Sequence, residues 1–207
     1  MSPQRRGVCL VIAAPSGAGK SSVTAGLLAL EPNLTRSVSV TTRLPRPGER
    51  DGHDYFFRTP AEFDALAQSG GLLEWATVFG RSYGTPRDPV ETALAAGRDV
   101  AFDIDWQGHN NLRSALPRDV VSVFILPPSL HALESRLRAR GSDSPAEIDR
   151  RMAAARAEIT HWHEFDHVIV NTALDDAIIS VRAVLQAARL ATHRQTSLPG
   201  FVATLIA

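Results

Sequence analysis

Apolar residues in this chain fall into short continuous runs, separated by longer stretches where they recur every three or four positions. The runs 8–14, 99–104, 120–126 and 167–171 read as strands buried on both faces. The periodic stretches 20–30, 89–96, 106–115, 130–138, 146–163 and 174–191 predict amphipathic helices. Strand and helix in alternation predict an α/β fold, a parallel sheet with helices on both faces. Two stretches break the alternation. Residues 36–87 are rich in Ser, Thr, Arg and Gly and predict a small α+β insertion. Residues 139–146 form a polar loop between two arginine-bearing helices. Both interruptions fall near the carboxyl ends of strands, where such sheets bind ligands. The division expected is a core of 1–35 and 88–207, an insertion of 36–87, and a short lid at about 136–156.

Composition narrows the class. A chain of 207 residues, 44% of them hydrophobic, can bury one core. Net charge is zero, so the totals point to no nucleic-acid or membrane partner. The single cysteine, Cys9, lies in the first apolar run, which excludes an intrachain disulfide and fits a reducing compartment. No apolar stretch approaches the roughly 20 residues needed to span a bilayer. Arg5-Arg6 before an apolar run imitates a secretion signal. Cleavage after the alanines would cut a glycine-rich turn apart, so the cytoplasm is expected.

That turn is Ala14-Pro15-Ser16-Gly17-Ala18-Gly19-Lys20-Ser21-Ser22, and Lys20 is the only lysine of the chain. Strand, glycine-rich turn and helix in register make a phosphate-binding loop. Backbone N–H groups point inward and the helix N-terminus faces the same cavity. Lys20 can reach the outer phosphates of a nucleoside triphosphate, and the Ser21 hydroxyl can ligate Mg²⁺. Ala14 stands where the usual pattern has glycine, and Gly17 and Gly19 are expected to supply the close backbone approach. The plain alternative is a chance glycine-rich turn with a surface lysine.

The insertion carries Arg43 and Arg46, braced by prolines and preceded by hydroxyls, then Tyr55. Arginine forks bind phosphate bidentately, so this set suits a phosphate dianion. Each arginine by itself would otherwise be a solvated charge. His161, His163 and His167 hint at a metal but lack a fourth ligand. Residues 198–202 are expected to dock on the body or on a second subunit.

Beyond the loop, five segments occur in order: Ser39 through Arg46-Pro47-Gly48-Glu49, then Gly52-His53-Asp54-Tyr55-Phe56-Phe57, Glu74-Trp75-Ala76, Tyr83-Gly84-Thr85 and Asp103-Ile104-Asp105-Trp106-Gln107-Gly108. In these the chain resembles the guanylate kinases, from about residue 8 to residue 188. The resemblance implies a P-loop NTPase-type fold and transfer of the γ-phosphoryl of ATP to GMP; use of dGMP is left open. It implies that Arg43, Arg46, Tyr55 and Tyr83 hold the GMP phosphate. Ser39, Glu74, Thr85 and Asp105 would read the guanine, whose N1–H and N2–H₂ donors suit two carboxylates. Asp103 would hold Mg²⁺ together with Ser21, Asn171 would lie near the adenine, and Arg136, Arg140 and Arg151 would be the lid arginines. Lys20, Arg43 and the lid arginines form the expected catalytic set, acting through position and charge. Asp105 is a better candidate than Asp103 for the N-cap of the helix at 106. Arg138, Arg150 and Arg156 read as solvated. Two rivals remain: a module of the same family without catalysis that grips a phosphorylated protein, and a related sugar-phosphate kinase. Monomer and homo-oligomer are both open.

Overall fold

The computed structural model describes residues 4–78, 80–139 and 144–207. Strand β1 (Cys9–Ala13) lies at the centre because it is apolar on both faces. The two-residue period of an extended chain sends Val8, Leu10 and Ile12 into one cluster, and Cys9, Val11 and Ala13 into another. Strands β7 (Asp99–Phe102) and β8 (Val120–Leu126) flank β1 in parallel, with Leu10 opposite both Ala101 and Val121. Strands β2 (Leu34–Arg36) and β9 (His167–Val170) form the edges, also parallel. Among the described residues the order is β2-β7-β1-β8-β9.

Helices α1 (Lys20–Leu30) and α7 (Leu174–Leu190) cover one face through Val23, Leu27, Ile178, Val181 and Leu185. A Cβ at Gly26 would fall 2.3 Å from Ile178 Cδ1, so glycine permits this approach of the two helices. Helices α3 (Arg87–Ala95) and α4 (Trp106–Ala115) cover the other face through Val90, Leu94 and Leu112. Each fully buried aliphatic side chain contributes about 1.5–3 kcal/mol.

A second sheet contains β3 (Val40–Thr41), β4 (Phe56–Phe57), β5 (Leu72–Val78) and β6 (Arg81–Pro86), in the order β4-β3-β6-β5. Helix α2 (Pro60–Gln68) starts at a capping box, in which the Thr59 hydroxyl accepts from the Glu62 N–H and the Glu62 carboxylate accepts from the Thr59 N–H. Phe63 packs with Val40 and Leu72 in a small core of its own. Leu73, on the opposite face of β5, packs into the core of the first sheet. Adjacent residues of one strand thus join the two sheets.

Helices α5 (Leu130–Ala139) and α6 (Pro145–Ile159) flank the phosphate loop. The helix expected over 146–163 ends as a 3-10 turn at Thr160–Glu164. The strand expected over 99–104 stops at Phe102, because Asp105 leaves the extended run to cap α4, its Oδ1 accepting the Gly108 N–H at 2.8 Å. Of the two placements expected for the tail, docking on the body is not the one observed. Helix α8 (Leu198–Leu205) does not dock on the body, for Phe201 and Val202 are 49% and 43% exposed. Arg194, 2% exposed, anchors the tail instead by donating to the carbonyls of Gly7 and Asp119. Among the described residues no helix is long and apolar enough to cross a membrane.

Candidate active site

The turn after β1 curls so that the Ala18 N–H donates to Pro15 O at 3.0 Å. Gly17 and Gly19 carry the left-handed turns, at φ 92° and 101°. Ala14 instead packs its methyl against the clusters of Ala18 and Leu133 and of Ile12 and Val23. Gly19 is the N-cap of α1, and among the described residues no side chain caps that helix. The first-turn N–H groups therefore have no intrahelical or side-chain acceptor and face a cavity of about 300 Å³. Pro15, Ser16, Gly17, Gly19, Lys20, Ser21 and Ser22 line this cavity together with Asp105, Trp106 and Glu158.

Lys20 Nζ lies 2.5 Å from Asp103 Oδ1, and Arg36 Nη2 lies 3.4 Å from Asp103 Oδ2. Ser21, Arg36 and Asp103 line a small side cavity. The Ser21 hydroxyl and the Asp103 carboxylate are hard oxygen donors, the type and number that Mg²⁺ takes from a protein when phosphates and waters complete its shell.

Asp103 also lines a second, larger cavity of about 750 Å³ together with Ser39, Glu49, Tyr55 and Thr85. Two of the other residues expected to hold a phosphate, Arg43 and Tyr83, cluster around Tyr55. Arg43 lies 5.3 Å over the Tyr55 ring, and Tyr55 and Tyr83 touch edge to face at 6.1 Å. The Arg43 fork is held by Glu49, at 2.9 Å from Nη1 and 2.8 Å from Nη2. The same carboxylate accepts the Arg46 N–H at 2.7 Å, and the Arg46 side chain is exposed. Glu74 is buried on β5, where the register sets it opposite Thr85, whose hydroxyl donates to Glu74 Oε1 at 2.6 Å. Burial pushes the Glu74 carboxyl up, Thr85 pulls it partly back, and the nearby Asp105 charge pushes it up again.

Among the expected lid residues, Arg136 donates to the Ala18 and Asn171 carbonyls, at 3.3 and 3.1 Å. Arg151 lies 3.4 Å from Ser16 Oγ. Arg140 lies outside the described residues. Arg138 and Arg150 are largely exposed and pair with Glu134 and Glu147 on their own helices. Asn171 is buried behind the loop, its Nδ2 donating to Ala18 O at 2.8 Å and its Oδ1 without a partner among the described residues. A Cβ at Gly19 would fall 2.4 Å from that Nδ2. The three histidines do not converge. His161 stacks on Trp106 at 3.7 Å and bonds Glu164, while His167 Nδ1 lies 3.4 Å from Ser122 O. Among the described residues no group of three or more His, Cys, Asp or Glu side chains is set to hold a metal.

Residues 6–188 match the family model described as guanylate kinase. The chain belongs to the guanylate kinase family. A guanylate kinase of Gluconobacter oxydans is 65% identical over 200 residues, which cover 97% of this chain and 96% of that one. One from Granulibacter bethesdensis is 64% identical over 191 residues, covering 92% and 89%. The crystal structure of guanylate kinase from Anaplasma phagocytophilum superposes with a TM-score of 0.76 at 36% identity, covering 97% and 95%. The P-loop, parallel-sheet fold expected from the sequence is thus the fold of this guanylate kinase family member.

Sequence reasoning gave no role to Glu49, Arg36 or Glu158. Glu49 sat in a quoted motif and could have been paired with Arg43 by its six-residue spacing across a turn. Arg36 and Glu158 carry no local signal, since the fold alone brings them to Asp103 and Ser16.

Proposed function

We propose that this chain is an ATP:GMP phosphotransferase, moving the γ-phosphoryl group of ATP to the phosphate of GMP to give ADP and GDP. One observation carries the reading. The segment from Asp103 to Asp105 is a wall shared by two cavities: Asp103 lines the larger one while pairing with Lys20, and Asp105 lines the phosphate-loop cavity while its charge acts on Glu74. Two nucleotides bound on either side would bring their phosphates together across that wall.

In this reading the phosphate loop, residues 14–22, binds the donor. Lys20 leaves Asp103 to follow charge developing on the transferred group. An oxygen of the GMP phosphate attacks the γ-phosphorus, the bond to the β–γ bridging oxygen breaks, and ADP keeps that oxygen's electrons. Ser21 and Asp103 would hold Mg²⁺, which when bound neutralises charge on the donor phosphates. Arg43, Arg46, Tyr55 and Tyr83 hold the acceptor phosphate, with Glu49 fixing the Arg43 fork. Glu74, Ser39, Thr85 and Asp105 face the guanine edge, where carboxylates accept from N1–H and N2–H₂. Adenine presents an acceptor lone pair there and is refused. Residues 36–87 act as the acceptor-binding unit, and 136–156 as a lid whose Arg136, Arg140 and Arg151 add positive charge near the donor. Asn171 supports the loop from behind and lies toward the adenine side. The single thiol, Cys9, is free and buried, as suits a cytoplasmic protein.

The test is ADP release in a coupled assay with GMP, dGMP, AMP, CMP and UMP. GMP should be the best acceptor, dGMP weaker, and the other three near background. ATP turnover with GMP excludes the inactive binding module, and no turnover with any of the five would overturn the reading.

A further inference from the structure

Helix α6 presents one face to the phosphate loop. Arg151, Ala155 and Glu158 recur at the spacing that stacks side chains along a helix. Ala155 is fully buried against Ala18 and Leu133. On one side of it Arg151 reaches the Ser16 hydroxyl, and on the other Glu158 Oε2 accepts the Ser16 N–H at 3.2 Å. Glu158 is therefore a carboxylate lining a cavity that the anion-binding donors of the loop also line. Burial pushes its carboxyl up. The Ser16 N–H and Lys20 pull it back, and Asp105 adds to the push.

We propose that Glu158 sets donor affinity by competing with the donor's phosphates for the phosphate loop. The carboxylate takes a loop N–H and places a negative charge beside the cavity that Lys20 and Ser21 line. Phosphates entering that cavity must displace the carboxylate or bear its repulsion. Because Glu158 shares a helix face with Arg151, displacing it also moves the helix that carries a lid arginine. Glu158 is thus a positioning residue, acting through the loop and through α6. This inference rests on the phosphate loop being the donor site.

A simple brace and a competitor predict opposite signs. Glu158→Gln keeps an oxygen that can accept from the Ser16 N–H and removes the charge. The full chain and this variant are titrated with ADP and with inorganic tripolyphosphate by calorimetry, and KM is measured for ATP and for GMP. The variant should bind both ligands about tenfold more tightly, since one like charge at short range is removed. KM for ATP should fall in parallel while KM for GMP stays put. Glu158→Ala, checked for its fold by circular dichroism, should tighten binding in the same direction. Unchanged or weaker binding in the folded variants overturns the proposal and makes Glu158 a brace. Failure of the wild-type chain to bind either ligand would instead overturn the donor-site reading itself.

Discussion

The two cavities are built by different means. On the proposed reading the donor side is made mostly of backbone: one contiguous turn of nine residues, two left-handed glycines and a helix N-terminus that no described side chain caps. The acceptor side is made of side chains that already hold one another, with Arg43 on Glu49 and Thr85 on Glu74, brought together from β3, β5, β6 and the loops between them. Backbone N–H groups take any phosphate, so the first site fixes the chemistry. Paired side chains in a fixed register can tell one base from another, so the second fixes the substrate.

The largest break in this comparison should come from Lys20→Ala. It removes the one side chain of the donor loop that carries positive charge. Turnover should fall by about 10²–10³-fold, while GMP binding, measured directly by calorimetry, stays near wild type. A variant keeping more than about a tenth of wild-type turnover would show that backbone donors alone suffice. Next comes Arg43→Ala on the acceptor side. It should raise KM for GMP by about 10–100-fold and leave KM for ATP near its starting value. Equal rises in both would mean that Arg43 bridges the two phosphates, which would blur the division argued here.

The same division explains what could be read from the sequence. The donor loop was legible residue by residue, because its geometry is local and depends on glycines and one lysine in a row. The parallel sheet was legible too, since β1, β7 and β8 are apolar runs that only a doubly covered sheet accommodates. The acceptor site was not legible from the residues alone. Glu74 taken singly is a strand carboxylate before a tryptophan, and its meaning depends on Thr85 lying opposite and Asp105 nearby. Only the resemblance to a known family pointed to it. Glu158 was missed because 142 residues separate it from Ser16. For the tail, the apolar composition of Leu198-Pro199-Gly200-Phe201-Val202 suggested docking on the body, whereas the anchor there is Arg194, buried and donating to two carbonyls.

A smaller effect should follow from changing one acceptor-side oxygen. Glu74→Gln turns one acceptor into a donor and removes the charge. The amide carbonyl can still accept from guanine, so GMP use weakens without vanishing. The new N–H can donate to adenine N1. The ratio of kcat/KM for GMP over AMP should therefore fall about tenfold, with KM for ATP unchanged. A ratio that holds at the wild-type value would mean that Glu74 does not read the base.

The smallest effect is a titration on the acceptor side. Glu74 carries a carboxyl pushed above its ordinary range by burial. An acid with a raised folded pKa holds its proton in the folded chain at pH values where the unfolded chain has lost it. Its contribution to stability is fully present below the unfolded value, about 4.3, and is lost as pH rises through the folded one. Function has the opposite sense. The ionised carboxylate accepts from guanine, so lowering the pH into that raised range removes an acceptor, and KM for GMP should rise as the carboxyl takes up its proton. The GMP phosphate also gains a proton near pH 6, so the wild-type curve by itself is ambiguous. Glu74→Gln supplies the baseline, because it keeps the substrate's titration and lacks the carboxyl. The quantity to measure is the ratio of wild-type to variant KM for GMP across that range. A ratio that rises as pH falls assigns the change to Glu74. A ratio flat with pH would mean that Glu74 does not change ionisation in this range.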